Sequence, residues 1–423
     1  MATAEPNPAE PYAHLVDADY YEQVGYPHED WRRLRAESPI HYVERELGDS
    51  FWALTKQRDI STVGRQPELF SSDMPIVRDQ DLIDDQPTDL PKQLITLDPP
   101  IHAKYRALVA KRMTPRKVAK LHDDIEEIAV GILNDLEEHE GTGCDFVDVV
   151  AAPLPIAVIA YLLGVPMDDW RQLYKWTNES AGAFDPENRQ EGETPQETMR
   201  RAMTEQFAYF AELREERLKN PQDDLVTLLA QATVDGEPLP LMDVLSFYQI
   251  LIAAGNETTR NATSGGLHAL IEHPAELDRV QKDPSLLKST VEEVLRWTSP
   301  IIHFARTATA DTEVGGHRIR KGEVVSMFYP SANRDEEVWD DPYTFRVDRT
   351  RNPHIAFGVG EHYCLGAHVA RLELEVIYRH LLPRLAEVEI AGPVDRLRSH
   401  LIGGIKRLPI RYKLRSGLGE GRA

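Results

Sequence analysis

Apolar residues recur at three- and four-residue intervals through most of the chain beyond Thr114, and that period predicts a mainly helical protein. The segments RKVAKLHDDIEEIAVGILNDLEEH and VVAAPLPIAVIAYLLGV carry it and are stopped by glycine or proline. Residues 241–273, LMDVLSFYQILIAAGNETTRNATSGGLHALIEH, form a long and mostly apolar helix, and LGAHVARLELEVIYRHLLPRL after Cys364 forms another. Strand-like alternation is confined to IHYVERE, SFWALT and TEVGGHRIRKGEVVSMFY, whose Gly315-Gly316 pair marks a turn, so a minor β region is expected. Residues 1–20 read as a flexible arm. Residues 21–423 read as one domain, because no linker rich in Gly, Ser or Pro interrupts the chain after residue 100. Two acidic stretches without period, 72–93 and 183–198, read as surface loops.

Composition narrows the class. The chain has 423 residues, 41% hydrophobic and 28% charged, ample for a sizeable core. Its formal net charge of −22 argues against nucleic acid or an anionic membrane surface as a partner. Only Cys144 and Cys364 are present, so no disulfide framework is expected and a reducing, cytoplasmic setting is natural. The N-terminus MATAEPNPAEPYAHLVDADYY has neither the basic nor the apolar region of a signal peptide. No apolar run approaches the roughly twenty residues of a membrane helix, and a soluble protein is expected.

Chemistry concentrates in the run Phe357-Gly358-Val359-Gly360-Glu361-His362-Tyr363-Cys364-Leu365-Gly366. Its glycines open backbone conformations closed to other residues and let a flat ligand approach. Cys364 stands just before a helix, whose N-terminal N–H groups and dipole favour a thiolate. His354, His362 and His368 lie nearby, but the paired short spacings of a zinc site are absent. Cys144 reads as an ordinary thiol. In the long helix, Ala253-Ala254-Gly255-Asn256-Glu257-Thr258-Thr259 sets small residues beside an acid and hydroxyls. Small side chains leave a groove, a Thr hydroxyl bonds a carbonyl one turn back, and a carboxylate beside a hydroxyl relays protons. Glu293 and Arg296 share a helix face, as do His102 and Arg106 after the Asp98-Pro99-Pro100 helix start.

The cysteine run resembles the haem-binding loop of the cytochrome P-450 family, the haem-thiolate monooxygenases, and the resemblance extends over about residues 20 to 413. It implies a mainly α fold, a helix-rich domain with a small β-rich lobe and haem b buried between two helices. It makes Cys364 the axial ligand of the haem iron, with Phe357, Gly358, Gly366 and Ala254 against the cofactor. His102, Arg106, Arg306 and His362 match the family's propionate contacts, and Glu257 and Thr258 its catalytic acid–alcohol pair. Arg349, in Phe345-Arg346-Val347-Asp348-Arg349, matches the second arginine of a buried cluster with Glu293 and Arg296. The two acidic loops correspond to those that cover the substrate cavity.

The implied activity is insertion of one oxygen atom of O2 into a C–H bond. No G-x-G-x-x-G lies between strand and helix, so the chain is expected to bind neither flavin nor NAD(P)H directly. Electrons then come from NAD(P)H through a ferredoxin and its reductase, with Lys111, Arg112 and Arg371 as candidate cations for an acidic partner. Pocket candidates are Ala253, Ala254, Ile301, Ile302, His303, Phe304, Leu401 and Ile402, apolar except for His303, which reads as either a substrate contact or a structural residue. HFARTATADTEVGG, MFYPSANRDEEVW and HLIGGIKRLPIRY are similar to bacterial members acting on terpenoids, steroids, sterol side chains or alkyl chains. A monomer is expected. A peroxide-using peroxygenase is opposed by Glu257 and Thr258, and a haem-thiolate sensor by the lack of length for an effector domain.

Overall fold

The computed structural model describes residues 10–78, 93–183 and 185–415. The part of the expected loop 72–93 that spans 79–92 lies outside the described residues, as do residues 1–9 of the expected arm.

The helical expectation holds for the central elements. The long helix runs over Leu241–Glu272, opened by Pro240 and closed at His273, where Pro274 cannot continue it. It packs against the helices Pro153–Leu163, Leu287–Thr298 and Ala367–Arg384. Gly266 permits that approach: a Cβ there would collide with the Tyr378 hydroxyl and the Val294 side chain. Tyr378 donates to the Thr263 carbonyl at 2.8 Å, closing the long helix onto the helix after the cysteine loop. Pro153–Leu163 is apolar around its circumference because Leu154–Ala160 are all buried, and it ends at Gly164 with φ 76°, a left-handed C-cap.

The β lobe is a five-stranded sheet in the spatial order Ile40–Val43, Phe51–Leu54, Val324–Phe328, His303–Ala308, Phe70–Ser71. Its strands pair antiparallel except Phe51–Leu54 with Val324–Phe328, which run parallel. The hairpin Thr312–Val314 to His317–Ile319 turns at Gly315 and Gly316, both with positive φ (53° and 83°), as a tight two-residue hairpin requires.

Two expectations change. Residues 13–20 are not a free arm: Leu15 and Val16 are fully buried beside Trp31 and Phe328, and Asp17 caps the helix Ala18–Gln23. Two adjacent apolar residues carry no period, so the burial was invisible in the pattern. The stretch 183–198 is irregular only in part, for Thr194 and Glu197 form a capping box and a helix begins at Pro195.

Candidate active site

Gly358 and Gly360 hold φ of 71° and 75°, and the chain folds back so that the Cys364 N–H donates to the Phe357 carbonyl at 2.8 Å. A Cβ on Gly360 would strike the Gly64 carbonyl, so glycine is required where the loop lies on the helix Gln57–Gly64. Cys364 precedes the helix Ala367–Arg384. Burial pushes its thiol up, opposed by the Gly366 backbone N–H and the charges of Arg106 and Arg371. The helix terminus therefore does not by itself produce a thiolate. A metal cation, if bonded to Cys364, would supply that missing stabilisation, because metal binding drives a thiol's proton off.

Arg371 stacks over Phe357 with 4.5 Å from guanidinium carbon to ring centre and bonds Glu292 at 2.6 and 2.9 Å. Arg112 pairs with Asp223 at 2.5 Å. Two of the three cations assigned to a redox partner are thus already paired within the chain, leaving Lys111 exposed at the end of Ile101–Ala110.

Four basic side chains converge from three segments beside the cysteine loop. His102 and Arg106 come from Ile101–Ala110, Arg306 from the strand His303–Ala308, and His362 from the loop. The His102 and His362 rings lie 4.1 Å apart, and His362 Nε2 meets Ser72 Oγ at 3.0 Å. His362 is pushed down to about 3 by burial and then by Arg306, His102 and Arg106; His102 is lowered by burial and Arg106. Both ring nitrogens of His102 are buried without a hydrogen bond, the Glu361 carboxylate standing off at 3.7 Å. An orphaned ring N–H inside a positive field suits an anion with two carboxylates, and haem propionates fit that description.

In the long helix the Thr258 hydroxyl donates to the Ala254 carbonyl at 2.9 Å, the bond anticipated for the groove. Ala254 is exposed although Ile252 and Asn256 on either side are buried, so the helix borders open space at its middle. Glu257 turns away from Thr258: its buried carboxylate pairs with Arg260, which also reaches Asn178 at 3.4 Å.

Glu293 and Arg296 are both fully buried, joined by two bonds of 2.7 Å, and Arg349 Nε adds a third at 3.1 Å. Asn352 and the Arg346 N–H complete the shell of the carboxylate at 3.0 and 2.9 Å. These last two, with the Glu292–His354–Arg371 group, have no spacing signal and were missed.

The pocket candidates divide. Ile301, Phe304, Leu401 and Ile402 are partly exposed, as is Ala253. Ile302 is fully buried in the N-terminal core beside Trp31, and His303 is fully buried between Ser326 and His400, so neither lines the pocket. Side chains alternate across a strand, so His303 and Phe304 face opposite ways.

A cysteine held before a helix, a cluster of bases around the unbonded His102 and a gap in a long helix are what a haem-thiolate protein needs. Residues 54–399 match the family described as Cytochrome P450, and the chain belongs to that family. It is 38% identical to a steroid C26-monooxygenase of Rhodococcus jostii (strain RHA1), over 98% of this chain and 88% of that protein. It is 36% identical to the linalool 8-monooxygenase of Pseudomonas putida, over 94% of this chain and 98% of the relative. The crystal structure of CYP108D1 from Novosphingobium aromaticivorans superposes with a TM-score of 0.86 at 33% identity, over 95% and 97% of the two chains. The protein is therefore an oxidoreductase of the monooxygenase type, with haem b as cofactor and O2 as co-substrate. No helix among the described residues is long and apolar enough to cross a membrane.

Proposed function

We propose that this chain hydroxylates a hydrophobic terpenoid, steroid or alkyl chain at a C–H bond, taking electrons from NAD(P)H through a ferredoxin and its reductase. The observation that carries the reading is the Cys364 loop lying beside a base cluster whose buried His102 nitrogens have no partner. Sγ of Cys364 would hold the haem iron, and His102, Arg106, Arg306 and His362 its propionates. Haem b, when bound, supplies the activation of dioxygen.

This chain's residues supply the rest. The open space at Ala254 admits a small guest, and Thr258 can turn its hydroxyl proton from the Ala254 carbonyl to that guest. Glu257, once it leaves Arg260, can accept a proton from water and pass it on toward Thr258. Ala253, Ile301, Phe304, Leu401 and Ile402 exclude water and orient an apolar substrate. Relatives named for linalool and steroid oxidation support that substrate class. Retention of Glu257 and Thr258 favours a partner protein over hydrogen peroxide as the source of electrons. Exposed Lys111 is the candidate contact for an acidic ferredoxin. Two free cysteines suit a reducing cytoplasm, where the chain would act as a monomer.

The test is the spectrum of the reduced, carbon monoxide-bound protein, in which thiolate ligation shifts the Soret band to the red. Loss of that shift on Cys364→His is expected, and its absence from the parent protein sinks the proposal. Optical titration with linalool and testosterone, watching for the spin-state change, then tests the substrate class.

A further inference from the structure

The wall of the pocket is tied down from behind. On the strand His303–Ala308, Phe304 is partly exposed, whereas His303 and Ala305 are fully buried on the other face. Ser326 Oγ of the neighbouring strand lies 2.9 Å from His303 Nδ1, and His303 Nε2 lies 3.1 Å from His400 Nδ1. The two imidazoles meet edge to edge and nearly coplanar, with centroids 5.4 Å apart and planes within 14°. A nitrogen pair at that distance needs one proton between them, so hydrogen bonds run in one direction along the whole relay. Burial and the neighbouring His400 lower the His303 imidazole well below its ordinary range, so His303 is neutral and uses one nitrogen as donor and the other as acceptor.

His400 opens the turn that carries Leu401 and Ile402. That turn lies along residues 300–302: the Ile302 N–H donates to the Leu401 carbonyl at 2.9 Å, the Gly403 N–H to Pro300 at 2.8 Å, and Ile301 bridges Ile402. Gly404 then packs so closely on Asn261 of the long helix that a Cβ would overlap its side chain. The turn is thereby held between the sheet and the helix that carries Thr258.

We infer that His400 is a positioning residue for specificity: through His303 and Ser326 it fixes the Leu401–Ile402 turn against Ile301 and so sets the shape of the apolar space beside the haem. This rests on the functional reading above. Neither His303 nor Ser326 touches substrate. They act through the place they give to two side chains that do.

The experiment treats the haem-loaded protein with phenyldiazene, which loses dinitrogen, and then with ferricyanide as oxidant, leaving the phenyl group on whichever porphyrin nitrogens the pocket leaves open. The variants are His400→Phe, which keeps an aromatic ring without the hydrogen bond, and Ser326→Ala, which cuts the relay on the far side of His303. Both are expected to keep the red-shifted carbon monoxide band. Each should shift the ratio of N-phenylporphyrin isomers by about threefold or more, in the same direction, the size of coupling usual for residues in contact. The double variant should shift it no further than His400→Phe alone. A purely structural role lowers the melting temperature and leaves the isomer ratios untouched, and that result overturns the inference. Should His400→Phe fail to fold, an unchanged ratio in Ser326→Ala overturns it equally. A parent protein without the red-shifted band overturns the functional reading and this inference together, whereas a normal band with unchanged ratios overturns this inference alone.

Discussion

Glu257 and Thr258 are consecutive, yet about 100° of helical rotation gives them different surroundings. Thr258 faces the space at Ala254, while Glu257 is buried against Arg260. Thr258→Ala removes a movable proton without disturbing Cys364. It should keep the carbon monoxide band and raise several-fold the share of electrons released as hydrogen peroxide, read as peroxide formed per NAD(P)H consumed. Glu373 is a different case. It is buried in the helix after the cysteine loop with Oε2 unpartnered, and burial pushes its carboxyl up to about 8. Between the ordinary carboxylate range and that value, the unfolded chain has lost a proton that the folded chain keeps, so this residue makes stability fall as pH rises. Glu373→Gln should flatten that slope, seen as a melting temperature that falls less from about pH 5 to about pH 8 than the parent's. An unchanged slope would mean the carboxylate finds a partner in solution. Nothing in the local sequence distinguishes Glu373 from the half-exposed acid Glu375 two positions on; only packing does.

At the scale of elements, the buried ion group joins a helix to an irregular segment. Glu293 sits on Leu287–Thr298 and takes bonds from Arg296 beside it and from Arg349, Asn352 and the Arg346 backbone more than fifty positions away. Arg296 in turn donates to the carbonyls of Asn333 and Pro342 at 3.0 and 2.8 Å. Glu293→Gln leaves buried cations unanswered and should cost about 3–5 kcal/mol, measured by urea unfolding, with haem lost at lower denaturant than in the parent. The three-residue spacing of Glu293 and Arg296 was legible because a helix puts such pairs on one face. The carbonyls that receive Arg296 were not, since their approach depends on how the segment 333–349 folds back.

Across the whole molecule, Asp185 and Glu187 are fastened to the C-terminal strand Ile405–Arg407. Lys406 reaches Asp185 at 2.5 Å and Glu187 at 3.2 Å, and Arg407 reaches Glu187 at 2.5 Å. Lys406→Ala should speed substrate entry, seen as a faster stopped-flow spin-state change, and high salt should narrow the difference from the parent because these charges are partly exposed. The sequence by itself determined what is encoded within a few residues: the long helix by its apolar period, the hairpin at Gly315-Gly316, the cysteine loop by glycines whose positive φ no other residue adopts as readily. Tertiary structure alone decided what depends on distant partners. It turned His303 and Ile302 away from the pocket, folded Leu15 and Val16 into the core, and paired Arg112 and Arg371 with carboxylates. It also brought Ser72 to His362 across 290 positions of chain. A periodic pattern reports which face of an element is buried, but not against what, because the partner is chosen by the packing of the whole chain.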